Sequence, residues 1–363
     1  MKRNTLMAGF AIFSMFFGSG NIVFPLVLGR LAGDAWLFSM LGFFLTAVLV
    51  PLLGLMTVVL LQGNSLRFFN IIGTVPGRIV QLFIIALLGP FSVIPRCISV
   101  GYGALSATST FVPLIVFSAF FCVAIWFLTI RRERVIPVIG KILTPIKLGL
   151  LTLLIIFGIY WAPPLPATVC NSLEVFTRGA RDGYQTMDLA AAIFFSAAIM
   201  AFFQTAEDND RKSLLKNGLQ ASVIGAALMT IVYAGFMYLG SAYAGLACSA
   251  KPEEILPTIA NHALGTYGGL ALSSTVIFSC LTTSVALITC WIDTLKSFAS
   301  IQKLPHTVIL AVSLIISFAL STLGFSGISR FLGPILTFIY PVLIVMAIVH
   351  VVREMLKLKN DGS

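Results

Sequence analysis

The stretch FGSGNIVFP at 17–25 decides how this chain is read. It lies inside an apolar run over 5–29, long enough to cross a bilayer, which takes about 20 helical residues. Yet Gly18, Ser19, Gly20 and Asn21 are poor material for a helix interior. Glycine loses the most backbone entropy, and Ser and Asn side chains compete for backbone hydrogen bonds. Pro25 then removes another N–H donor. Peptide groups freed at membrane depth need partners, and a bound ion or small molecule can supply them. The plainer alternative is a glycine-rich face that lets two helices approach closely. With Asn21 and Pro25 attached, the pattern favours a helix broken at 18–21.

Outward from this stretch, the composition agrees. The chain has 363 residues, of which 58% are hydrophobic and 10% charged, and its mean hydropathy is +1.02. Soluble domains carry about 25% charged residues. A water-soluble globular protein, a disordered chain and a secreted disulfide scaffold are therefore excluded. So is a nucleic-acid binder: the net charge of +10 is spread over too few charges to build a solvated basic face. Ten charge-poor runs follow one another, at 5–29, 35–62, 77–107, 111–130, 141–162, 184–205, 214–246, 263–299, 305–325 and 329–352. Strand-type alternation is absent, which argues against a β-barrel. The expectation is an all-α polytopic membrane protein of ten transmembrane helices, forming a single transmembrane domain over 1–363. No small-residue cleavage pattern follows the first run, so it reads as an uncleaved span.

Lys and Arg set the orientation, because they accumulate in cytoplasmic loops. With the N-terminus inside, Lys2, Arg3, Arg67, Arg78, Arg131, Arg132, Arg134, Lys141, Lys147, Arg211, Lys212, Lys216, Lys296, Lys303, Arg353, Lys357 and Lys359 fall on the inner side. Only Arg30, Arg178, Arg181, Lys251 and Arg330 fall outside. Both termini are then cytoplasmic, in a cell inner membrane. Ten spans split five plus five, and an odd-numbered half forces the second half to run opposite to the first. The expectation is a 5+5 inverted repeat, over about 5–162 and 184–352, with broken helices 1 and 6, the sixth interrupted within 190–198. Cys97, Cys122, Cys280 and Cys290 lie in spans. Cys170 and Cys248 lie in outer loops, either as a disulfide or as two free thiols.

Four stretches carry a family resemblance: FGSGNIVFP at 17–25, GPFSVIPR at 89–96, GYQTMD at 183–188 and CLTTSVALIT at 280–289. They fall in order in spans one, three, six and eight. On them the chain resembles the branched-chain amino acid:cation symporters, bacterial carriers of leucine, isoleucine and valine. The resemblance implies the leucine-transporter type of fold and sodium-coupled import by alternating access, with proton coupling as a variant. It also implies about two further C-terminal spans that this sequence does not contain.

The expected site follows from what the cargo needs. A zwitterion wants donor N–H groups for its carboxylate, carbonyl ends for its ammonium and an apolar wall for its side chain. Gly18, Ser19, Gly20 and Asn21 would supply the first two, and Phe194, Phe195 and Ser196 of the sixth span the rest; in the plainer reading the phenylalanines are core. By resemblance, a sodium ion would lie between the Ser14 and Phe17 carbonyls, the hydroxyls of Thr282, Thr283 and Ser284, and Asn21. The alternative for those hydroxyls is back-bonding to carbonyls one turn earlier.

Charges within the membrane are functional candidates by default. Arg96 and Asp188 are expected at similar height and to pair, directly or through water, as a gating or coupling element. Two alternatives stand beside this: Arg96 contacts the substrate carboxylate, or Asp188 caps its helix. A metal-dependent membrane enzyme would use Glu207, Asp208 and Asp210, but no facing acidic cluster exists, and the plainer reading is a solvated loop. No Walker motif is present. The expected partners are an amino acid, sodium and the lipid bilayer, with no other cofactor and no nucleic acid.

Overall fold

The computed structural model describes residues 3–107, 112–130, 144–167, 171–195, 211–298 and 301–360. The described residues are almost wholly helical. In chain order they form α1 (Arg3–Phe16), α2 (Ser19–Ala32), α3 (Trp36–Phe44), α4 (Val50–Leu60), α5 (Ser65–Phe69), α6 (Thr74–Leu88), α7 (Val93–Ser106), α8 (Leu114–Ile130) and α9 (Thr144–Tyr160). They continue with α10 (Ser172–Tyr184), α11 (188–195), α12 (Arg211–Ala242), α13 (Ile255–Lys296), α14 (His306–Ser321) and α15 (Gly324–Asn360). Five helix runs are long and apolar enough to cross a membrane: Ser19–Leu60, Thr74–Ser106, Lys216–Ala242, Pro252–Lys296 and Gly324–Glu354. Shorter apolar helices stand among them.

The first span is broken, but one residue earlier than the composition suggests. α1 ends at Phe16, Gly18 is extended (φ −107°, ψ −160°), and α2 restarts at Ser19. Ser19, Gly20 and Asn21 are thus the first turn of a helix. The physical reason is the Asn21 side chain, whose Oδ1 accepts the Gly18 N–H at 3.2 Å. A side chain reaching back over one turn caps a helix start.

Three further departures concern the other spans. The run at 77–107 is two helices, α6 and α7, separated at Gly89–Pro90–Phe91–Ser92. The run at 184–205 was drawn across a boundary. Tyr184 ends an amphipathic helix, α10, and the chain turns at 185–187 with Met187 at φ 62° before α11 begins at 188. Within the expected interruption at 190–198, residues 190–195 are helical; 196–198 lie outside the described residues. Finally, α13 begins before the expected 263 and kinks at Gly265 (φ 69°).

Small residues bring the central helices together. A Cβ at Gly29 of α2 would fall on the Met237 carbonyl of α12, and one at Gly240 of α12 on the Leu26 carbonyl of α2. Such reciprocal contact lets two helices pack backbone to backbone, as membrane interfaces favour. Gly240→Leu should therefore push α2 off α12 and cost about 3 kcal/mol or more. Size-exclusion chromatography in detergent should show loss of the monodisperse species, whereas Gly245→Leu, whose Cβ would meet nothing within 4 Å, should leave it.

Candidate functional site

The ends of the broken span face different surroundings. At the start of α2, the backbone N–H groups of Ser19, Gly20 and Asn21 have no partner one turn back, as at any helix N-terminus. Pro25 has no N–H to offer the Asn21 carbonyl. These groups open on a cavity of about 360 Å³, whose polar wall includes Gly18, Ser19, Asn21, Arg96, Asp188 and Thr283. Its apolar wall includes Met15, Phe16, Leu88, Ala191, Phe195 and Leu287. Ser19 Oγ and Arg96 Nε are buried without a hydrogen-bond partner, and such atoms on a cavity wall are what a ligand satisfies.

Asp188 is 2% exposed. Its Oδ2 accepts Asn21 Nδ2 at 2.7 Å and the Tyr233 hydroxyl at 3.2 Å. Asn21 Nδ2 also contacts the Tyr233 hydroxyl. α2, α11 and α12 are thereby tied at one buried carboxylate. Arg96, 1% exposed, turns elsewhere. It donates to the Gln185 carbonyl at 2.8 Å and to Gln185 Oε1 at 3.3 Å. Its guanidinium lies 5.5 Å from the ring centroids of both Phe24 and Phe325, a cation–π arrangement. Gln185 in turn donates to Asp182 Oδ1 at 3.1 Å. The expected direct pair between Arg96 and Asp188 is therefore not formed. The turn at 185–187 supplies a neutral acceptor to the guanidinium, and Asn21 and Tyr233 take the carboxylate. Asp182, on α10 outside the spans, is pushed above the usual carboxylate range, first by burial.

The carbonyl end of α1 meets a different partner. Lys147 of α9 is 3% exposed. Its Nζ reaches the Ser14 carbonyl at 3.5 Å and Ser279 Oγ at 3.3 Å. Ser279 Oγ donates to the Phe17 carbonyl at 3.2 Å. Of the hydroxyls expected on a cation, Thr282 back-bonds to Ser279 O at 2.9 Å and Ser284 to Cys280 O at 2.8 Å. Thr283 faces the break: a Cβ on Gly18 would lie 3.3 Å from its Cγ2. The residues at the Ser14–Phe17 carbonyls do not fit a sodium ion. An ammonium is already there, and two unit charges about 4 Å apart repel by ~4 kcal/mol at an effective dielectric near 20.

Phe195 lines the cavity and meets Phe16 edge-on, with centroids 6.3 Å apart. Phe194 packs instead in the core against Phe69. Ser196, Glu207, Asp208, Asp210 and Cys170 lie outside the described residues; Cys248 is exposed. Sequence reasoning missed Lys147, Ser279, Tyr233 and Gln185. Ser279 was within reach, since it precedes Thr283 by one helical turn. Nothing about Tyr233 marks it in sequence.

An apolar helical bundle whose first span breaks beside a polar-lined cavity is the architecture of leucine-transporter-type membrane carriers. The solved structures place it there. MhsT in complex with L-phenylalanine matches with a TM-score of 0.59 at 18% identity, over 88% of this chain and 79% of that one. A manganese transporter of Eremococcus coleocola matches with a TM-score of 0.61 at 13% identity, over 95% and 75%. The chain belongs to the family described as branched-chain amino acid transport protein, which it matches over residues 1–362. Among its relatives, the branched-chain amino acid permease BrnQ of Bacillus subtilis is 29% identical over 98% of this chain and 82% of its own length. BraB of the same organism is 27% identical over 99% and 82%, and BrnQ of Corynebacterium glutamicum 28% identical over 98% and 82%.

Proposed function

We propose that this protein is a secondary active, cation-coupled carrier that imports leucine, isoleucine and valine by alternating access. The zwitterion sits in the cavity at the start of α2. One observation carries the reading: Arg96 and Asp188, opposite in charge, line one cavity without bonding to each other. The substrate carboxylate takes the first-turn N–H groups of α2 and the unpartnered Arg96 Nε. The ammonium takes Asp188. The aliphatic side chain lies among Phe16, Leu88, Phe195 and Leu287. A cavity of this volume suits a small ligand, and the substrate named for the family supports the choice. Ten spans in one transmembrane domain, arranged as a 5+5 inverted repeat with both termini in the cytoplasm of an inner-membrane protein, complete the proposal. The breaks at Gly18 and at 185–187 support alternating access, because each lies where one half would rock against the other.

The test is uptake of radiolabelled leucine into proteoliposomes, with sodium and proton gradients imposed separately. We expect uptake above the no-gradient level under one of them, suppressed by excess isoleucine or valine and untouched by excess glutamate. No uptake under either gradient, or equal suppression by glutamate, refutes the reading.

A further inference from the structure

We propose that the ε-ammonium of Lys147 is the resident cation of the pocket between the end of α1 and α13, so that this carrier binds its amino acid without a sodium ion there. The inference rests on the substrate reading above only for its choice of ligand.

Position alone makes Lys147 unusual. It is the fourth residue of α9, close to the cytoplasmic end of its span. A lysine so placed ordinarily extends its head to the water interface. This one turns inward and is almost completely buried. Its contacts are all neutral acceptors: the Ser14 carbonyl, Ser279 Oγ and the faces of Phe13 and Phe17, whose centroids lie 5.6 and 5.2 Å from Nζ. Together they make a cation site. α1 ends at Phe16, and a helix C-terminus carries about half a negative charge on carbonyls without partners. The two rings add their negative faces. Ser279 links the ammonium to the Phe17 carbonyl, one residue before the break.

The ammonium therefore has a mechanical role. It joins the carbonyl end of α1 to α13 and fixes the direction in which the chain leaves Phe17. That direction sets where Gly18, Ser19 and Asn21 present themselves to the cavity. A free cation in such a place would couple its own binding to that of the substrate; a tethered one is always present, so the α2 start is organised whatever the salt. Lys147 is thus a positioning residue: it acts on the substrate through α1.

The test uses the full-length protein purified in detergent, with leucine binding followed calorimetrically in sodium chloride and in choline chloride. The wild type should bind leucine equally in both salts, within about twofold. Lys147→Ala, which vacates the pocket, should lose about tenfold or more in choline and regain most of it in sodium. Lys147→Met, which fills the space without a charge, should lose as much and regain nothing. The inference is overturned if the wild type loses about tenfold on replacing sodium by choline, or if Lys147→Ala binds as tightly as wild type in choline. If leucine binds in neither salt, the substrate reading fails, and thermal unfolding decides the present one. Sodium raising the midpoint of Lys147→Ala alone supports it; sodium raising the wild-type midpoint, or neither, overturns it. Should the alanine variant not fold, the wild-type comparison still decides.

Discussion

Asp188→Asn is expected to abolish leucine binding while leaving the protein folded. The amide keeps the shape of the carboxylate and can still accept from Asn21 and Tyr233, so the tie between α2, α11 and α12 persists. What disappears is the charge that faces a substrate ammonium in a water-poor cavity. Removing one partner of a buried, hydrogen-bonded charge pair costs about 2–5 kcal/mol, roughly thirty- to several-thousand-fold in affinity. Leucine titration of the purified variant, on protein shown to be monodisperse, measures it. Tyr233→Phe gives the contrast: it removes a donor to Asp188 but keeps the charge, so a loss of about tenfold or less is expected. If folded Asp188→Asn binds leucine like the wild type, Asp188 only starts a helix.

The second large effect separates two readings of Arg96. If Arg96 and Asp188 stabilised each other as an ion pair, neutralising both would restore much of what either change alone destroys. The geometry predicts otherwise, since Arg96 is held by Gln185 and Asp188 by Asn21 and Tyr233. Arg96→Gln should lose roughly a hundredfold in leucine affinity, through the lost contact to the carboxylate and the freed Gln185 acceptors. Arg96→Gln/Asp188→Asn should recover none of it. In a double-mutant cycle the coupling should lie within about 0.5 kcal/mol of zero. Arg96→Lys should rescue poorly, because an ammonium cannot reproduce a planar fork over Phe24 and Phe325 while donating twice to Gln185. A double variant that binds better than either single one sinks this arrangement.

Lys147 shows where reading stops. By position it belonged with the inner-side charges, within a few residues of the span boundary, and topology was the only use for it. The direction of its head depends on the two phenylalanine rings and the carbonyl of a helix more than 120 residues earlier in the chain, which no local pattern announces. The same holds for the hydroxyls of α13. TTS at 282–284 drew attention as a cluster, but a helix presents only positions three or four apart on one face. So Thr283 looks at the break, Ser279 joins it, and Thr282 and Ser284 bond to their own backbone. GPFS at 89–92 contains its own helix breakers, yet apolar continuity across it hid the gap between α6 and α7.

What the chain decided alone is the kind of solvent it lives in and the place where its first span must break. Apolar length is a local property, and Gly-Ser-Gly cannot hold helix geometry whatever surrounds it. What only the tertiary structure decided is the allocation of partners: which carboxylate faces Asn21, which carbonyl holds Arg96 and which cation meets the end of α1. Those contacts join residues far apart in sequence, and at membrane depth, where water cannot serve as a default partner, each polar group must take whichever neighbour the packing brings.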